Sequence, residues 1–185
     1  MKKTSFIPVL ATLCGIVLCT FSSCKDDSTD EPPHVHAGEL ITTVQLALTD
    51  TITGNVSVFS YSDIDGPGGN NPISDTLNLL SGRVYAMNVL VLDENASPTD
   101  TISAEILNEA DTHLFVYTSS VIGVQISDQD INGLPLGLSA YVSALSVQPG
   151  TLRVQLRHYN TAQAKVSGGS AFSTDVDLSM PVQVD

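Results

Sequence analysis

Apolar and polar residues alternate with a period of two along most of the chain after Leu40, the pattern of strands that bury one face. It is clearest at the end, where Val176, Leu178, Met180, Val182 and Val184 interleave with Asp177, Ser179, Pro181, Gln183 and Asp185. Pro181 has no N–H to offer a neighbour, so this strand is expected at a sheet edge. Residues 40–49 put Leu40, Val44, Leu46 and Leu48 on one face, and residues 54–61 put Val56 and Val58 together. Asp50-Thr51-Ile52-Thr53-Gly54 between them reads as a short hairpin connection. Residues 84–92 are apolar on both faces apart from Asn88, which predicts a central strand. Residues 114–118 and 121–127 are expected to pair around Ser119-Ser120, and residues 138–147 and 152–159 around Gln148-Pro149-Gly150-Thr151. One stretch departs from the period. After Ser97-Pro98-Thr99-Asp100, residues 101–110 place Ile102, Ile106 and Leu107 on one helical face behind a polar cap. The expected fold is all-β: an antiparallel, immunoglobulin-like β-sandwich over residues 39–185, crossed by one short helix.

The first 38 residues follow other rules. Lys2 and Lys3 precede an apolar run from Phe6 to Leu18, the layout of a secretory signal and too short for a lasting membrane span. The run ends in Phe21-Ser22-Ser23-Cys24, which resembles a lipobox with Phe21 where Leu is usual. Residues 1–23 are therefore expected to leave as a lipoprotein signal peptide, with Cys24 acylated as the new first residue. An ordinary cleaved signal is the alternative. Cys14 and Cys19 would depart with the signal, so no disulfide is expected and stability must come from packing, to which bound ions could add. Residues 24–38 are charged, Pro-rich and almost without bulky apolar side chains, which suits a spacer. Lys25-Asp26-Asp27 resembles the export signal of surface-displayed lipoproteins of Bacteroidota; it implies an outer-membrane address on the cell surface rather than the periplasmic face.

Charge removes one class of function. The chain has 20 acidic residues against 7 Lys and Arg, a formal net charge of −13, and every acid lies after residue 23. Such a surface repels nucleic acid, and no basic stripe argues otherwise. Nucleic acid is not an expected partner; the acidic balance reads either as a plain solvated surface or as one that attracts cations.

Two kinds of cation site are legible. Asp128-Gln129-Asp130-Ile131-Asn132-Gly133 puts oxygen side chains at alternate positions before a Gly, so that Asp128, Asp130 and Asn132 could converge on Ca²⁺. Asp63 and Asp65, ahead of Gly66, form a looser version. A full Ca²⁺ loop would carry Glu where this chain has Ser139, and the same residues serve any β-turn. Histidines suit Zn²⁺ instead: His34 and His36 in the spacer, and His113 and His158 in the domain. Glu109 and His113 are one helical turn apart and could share an ion, whereas His158 sits at the end of the core face of its strand, where a hydrogen-bonded rim residue is the plainer reading. No Gly-x-Ser-x-Gly elbow, His-Glu-x-x-His run or phosphate-cradling Gly loop is present, so no enzyme is expected. Asp27-Ser28-Thr29, Asp50-Thr51-Ile52, Asp75-Thr76-Leu77 and Asp100-Thr101-Ile102 resemble an O-glycosylation motif of exported Bacteroidota proteins, although Asp with Ser or Thr also marks turns and caps.

Residues 39–44, Asp63-Ile64-Asp65-Gly66, residues 132–138 and residues 150–158 together resemble a family of small surface or periplasmic lipoproteins of Bacteroidota. Some of its members carry a type 1 periplasmic binding fold label. That fold needs alternating helices and parallel strands over a longer chain, so the resemblance implies an address and an all-β domain but no reaction. The function expected is a lipid-anchored, non-catalytic binding module at the outer membrane, accessory to cation or nutrient capture beside an uptake channel. The alternative is a structural or adhesive surface protein with no small ligand.

Overall fold

The computed structural model describes residues 40–66 and 68–185. The signal, Cys24, the spacer and its His34 and His36 lie outside the described residues. Among the described residues, ten strands form two sheets. The first contains β1 (Thr43–Asp50), β2 (Val56–Ser62), β3 (Ile73–Ser74), β5 (Val84–Leu92), β7 (Ile122–Ile126) and β8 (Ser139–Ala144), in the order β3-β2-β1-β5-β8-β7. The second contains β4 (Leu77–Leu79), β6 (His113–Ser119), β9 (Pro149–Tyr159) and β10 (Phe172–Val184), in the order β4-β10-β9-β6. Helix α1 (Ile102–Asn108) lies between β5 and β6, and α2 (Ala162–Val166) between β9 and β10. The all-β sandwich expected from the pattern is the observed fold. Two details differ: the described residues hold two short helices instead of one, and β4 runs parallel to β10 where only antiparallel pairing was expected.

One core holds the sheets together. Val44, Leu46 and Leu48 of β1 and Met87 and Val91 of β5 pack in the same cluster as Leu152, Val154 and Leu156 of β9 and Met180, Val182 and Val184 of β10. The β1–β2 hairpin forms as read. Asp50 Oδ1 accepts the amides of Ile52 and Thr53 at 2.8 and 3.0 Å, and Gly54 closes the turn at φ +74°, where a side chain would be strained. Strand β5 is central, between β1 and β8, but only its Tyr85, Met87, Val89 and Val91 face is buried. Pro181 is not at a simple edge. β10 lies between β9 and β4, yet β4 reaches only Val182–Val184, so the side of β10 that would face β4 is open as far as Pro181.

The two later hairpins expected from the sequence do not form. β6 pairs with β9 in one sheet, whereas β7 pairs with β8 in the other; the chain changes sheets at Ser119-Ser120 and again between β8 and β9. The cause lies just beyond the first turn. Val121 and Ile122 are consecutive and both buried, which a strand with one buried face cannot do, so the backbone there crosses the core. Leu145 and Val147, read as strand, are exposed beyond the end of β8. The two sheets also differ outside. Every outward position of β2, β1, β5, β8 and β7 is uncharged, with Val56, Val58 and Tyr141 exposed, whereas β9 and β10 display an Arg153–Asp177 pair bonded at 2.6 and 2.7 Å.

Candidate functional site

At one end of the sandwich three strands align in register. His113 opens β6 and sits directly across from His158 near the end of β9, which in turn faces Ser173 at the start of β10. Cross-strand neighbours on one face stand close enough for their side chains to touch. Here the two imidazoles stack with ring centroids 4.4 Å apart. Both continue core-facing rows, His113 ahead of Phe115 and His158 after Leu156, so the histidine row caps the core. The placement of His158 at the end of its core face is as its strand parity predicted.

A third side chain arrives from above. α1 anchors itself by Ile102 and Ile106, both 2 % exposed, and ends at Asn108 with Glu109 as its C-cap. Its start differs from expectation in two ways: Thr101 caps with no side-chain hydrogen bond, and Leu107 lies exposed rather than on the buried face. The helix stops before reaching His113, so the shared helical face imagined for Glu109 and His113 does not exist. A turn does the same work. The Glu109 carbonyl accepts from the Thr112 amide, the Thr112 hydroxyl and His113 Nδ1 at 3.0, 3.0 and 2.9 Å, and this folds His113 back beneath the helix end. Among the described residues, Glu109, His113 and His158 form a group whose ligand atoms all lie within 4.8 Å of one another. Donors around tetrahedral Zn²⁺ stand about 3.3 Å apart, so side-chain movements of roughly 1 Å would close the set.

A hydrogen bond behind His113 selects the ring nitrogen it can offer. A carbonyl oxygen can only accept, so His113 Nδ1 carries the proton in its bond to Glu109, and Nε2 keeps the lone pair. His158 Nδ1 faces Asp175 Oδ2 at 3.8 Å. A metal-bound histidine usually gives its second ring N–H to a carbonyl or carboxylate; the His113 Nδ1 bond has that form, whereas the His158–Asp175 approach is longer than a hydrogen bond. Asp175 owes its place to a bulge: the β9–β10 register shifts between Thr174 and Val176, and the extra residue is Asp175. His113 is 6 % exposed; burial pushes its pKa below the ordinary histidine value, the facing His158 adds to this, and the Glu109 carbonyl opposes it without reversing it. The lowered value favours the neutral imidazole, the form that can bind a metal. Ile41, Ile102, Glu105, Ile106, Leu156, Ser173 and the four polar residues just described line a cavity of about 470 Å³.

The other candidate residues are engaged elsewhere. Asp128 accepts the amides of Gly137 and Ser139 at 2.7 and 3.0 Å. Asp130 Oδ1 accepts those of Asn132 and Leu134, while its Oδ2 holds the Lys165 ammonium at 2.7 Å with both side chains almost fully buried. Burial raises the Asp130 pKa, but Lys165 and the two amides outweigh it and leave the carboxyl below its usual range. The expected Ca²⁺ loop therefore has a lysine as its cation, and Asn132 is exposed. Asp65 Oδ2 accepts both the backbone and side-chain N–H of Asn70, which holds its pKa low and ties the loop to itself. Asp63 lies at a smaller, adjoining cavity with Thr43 and Tyr61, which shares Ile41 and Asp175 with the first. Neither acidic loop brings three such ligands together among the described residues. Sequence reasoning paired Glu109 with His113 and set His158 apart as a rim residue; it missed Asp175, the extra residue at the bulge, and Lys165. No family model, curated protein or solved structure matches the chain.

Proposed function

We propose that this protein is an exported binding module that captures a divalent transition metal, with Zn²⁺ as the reference ion, through Glu109, His113 and His158. The observation that carries the reading is the convergence of these three donors within 4.8 Å at a cavity, with His113 Nδ1 already held by a carbonyl. A neutral imidazole, a second imidazole and a carboxylate are the donor set that borderline metals take. The acidic chain would enrich cations near the site. The lipobox-like Cys24 and the Lys25-Asp26-Asp27 signal support the wider setting: a lipid-anchored protein on the outer membrane that passes its ion to an uptake channel.

The test is calorimetric titration of the purified chain with Zn²⁺ at neutral pH. One ion per chain is expected, and His158→Gln should cost more than the about 10–100-fold that loss of an outer partner costs. Changing His34 and His36 together to Ala should leave the isotherm unchanged; the reverse pattern would move the site to the spacer and sink the cavity reading. The pH dependence has a fixed sign. Each imidazole must be neutral to donate, so affinity falls as pH falls. Burial places the His113 contribution to that loss below the ordinary value of 6.5.

The uncharged outer face of the six-stranded sheet favours a second reading, a surface protein that contacts a neighbour through that face. Its test belongs to the whole molecule and is given below.

A further inference from the structure

We propose that the metal in this cavity keeps one coordination position open to a second small ligand: an uncharged nitrogen donor bearing a protonated amine at its far end. The inference rests on the metal reading above and adds the class of molecule that the site takes.

Three protein donors leave the fourth tetrahedral position unfilled, the arrangement of sites that bind something further. Space agrees. A metal-bound water needs about 30 Å³, whereas the cavity is about 470 Å³, within the range of small-molecule pockets. Its walls divide by character. Ile41, Ile102, Ile106 and Leu156 offer an apolar surface to an organic body, and Glu105, Asp175 and Ser173 are polar. Charge then selects among ligands of this size. The lining holds Glu105, Glu109 and Asp175 but neither Lys nor Arg. A divalent ion neutralised by Glu109 keeps one positive charge, and Glu105 with Asp175 returns two negative ones. An anionic ligand therefore enters a site of the wrong sign. A neutral donor on the metal adds no negative charge, and an ammonium beyond it meets Glu105 or Asp175. A chelating carboxylate such as citrate is the kind of molecule the cavity rejects.

The experiment uses Co²⁺, whose visible absorption bands report its coordination, bound to the full chain. Three probes share one donor ring: para-aminomethylpyridine, cationic at its far end; pyridine, neutral; and isonicotinate, anionic. Each is too rigid to grip the ion at both ends. The expected order of binding, read from the Co²⁺ bands, is cationic, neutral, anionic, with about tenfold or more between the extremes. Combining Glu105→Gln with Asp175→Asn, both outside the ligand set, should bring that ratio to within about threefold at saturating Co²⁺. His158→Gln identifies the ion's position, and the bands themselves report whether each variant is folded around it. Absence of any His158-dependent Co²⁺ bands overturns the metal reading and this inference with it. Bands that form but ignore all three probes at about 10 mM overturn this inference and leave the metal reading standing. Isonicotinate binding as well as the cationic probe, or a preference that survives the double variant, overturns the charge selection.

Discussion

Lys165 and Asp130 show how much a single pair can decide. Lys165 Nζ is 2.7 Å from Asp130 Oδ2 and 2.7 Å from the Ala110 carbonyl, so one ammonium joins α2, the 128–137 loop and the residue next to Glu109. A buried ion pair is poor evidence of net stability, because both charges lost their water. Breaking it is another matter, since the survivor stays buried alone. Lys165→Met should therefore cost about 3–5 kcal/mol in chemical denaturation. Asp130→Asn in the same chain should recover much of that loss, and strictly additive penalties would show that the two groups are not coupled. The acid side of the stability profile follows from the same residue. The Asp130 pKa is held low in the folded state, so its contribution is present above the ordinary carboxylate range and is lost as pH falls through the lowered value.

At the scale of elements, the site depends on how α1 is pinned. Seven residues are too few to make a helix stable by itself, so Ile102 and Ile106 hold it by burial in the core. Ile106→Ala should cost about 2–4 kcal/mol and weaken Zn²⁺ binding, because the turn that brings Glu109 over His113 hangs from the helix end. Leu107→Ala, at an exposed position, should leave both melting and titration unchanged. Equal effects of the two changes on Zn²⁺ would detach the helix from the site. Much at this scale was legible. The period of two located most of the strands, and the switch of period located α1. The pairing of β6 with β9 and of β7 with β8 was not legible, because alternation shows which face a strand buries and is silent about its neighbour. α2 was missed for a related reason: five residues carry too little pattern to stand out.

Across the whole molecule the contrast is between its two outer faces. A chain of net charge −13 leaves the outward side of five strands without an Asp, Glu, Lys or Arg. The contact reading makes a plain prediction for living cells. A photo-crosslinking residue at Val58 should capture a neighbour, Tyr141→Lys should abolish the adduct, and the same crosslinker at Ser179 on the other sheet should capture none. Equal capture from both faces, or none from Val58, would remove that reading. Val58 is 54 % exposed, so the substitution should shift stability by no more than about 0.5 kcal/mol.

What the sequence determined by itself is local: strand faces, the β1–β2 turn, the short helix, the acidic balance and the residue types able to bind a cation. These follow from periodicity and side-chain chemistry, which act over a few neighbouring residues. Only the tertiary structure decided which of the candidates meet. His113 and His158 are 45 positions apart, and strand register stacks them. A bulge turns Asp175 towards them, and a helix end supplies Glu109. The acidic loop that looked most like a cation site spends its carboxylates on its own amides and on Lys165. Register and core packing are set by the sum of long-range contacts, so no short stretch of sequence contains them.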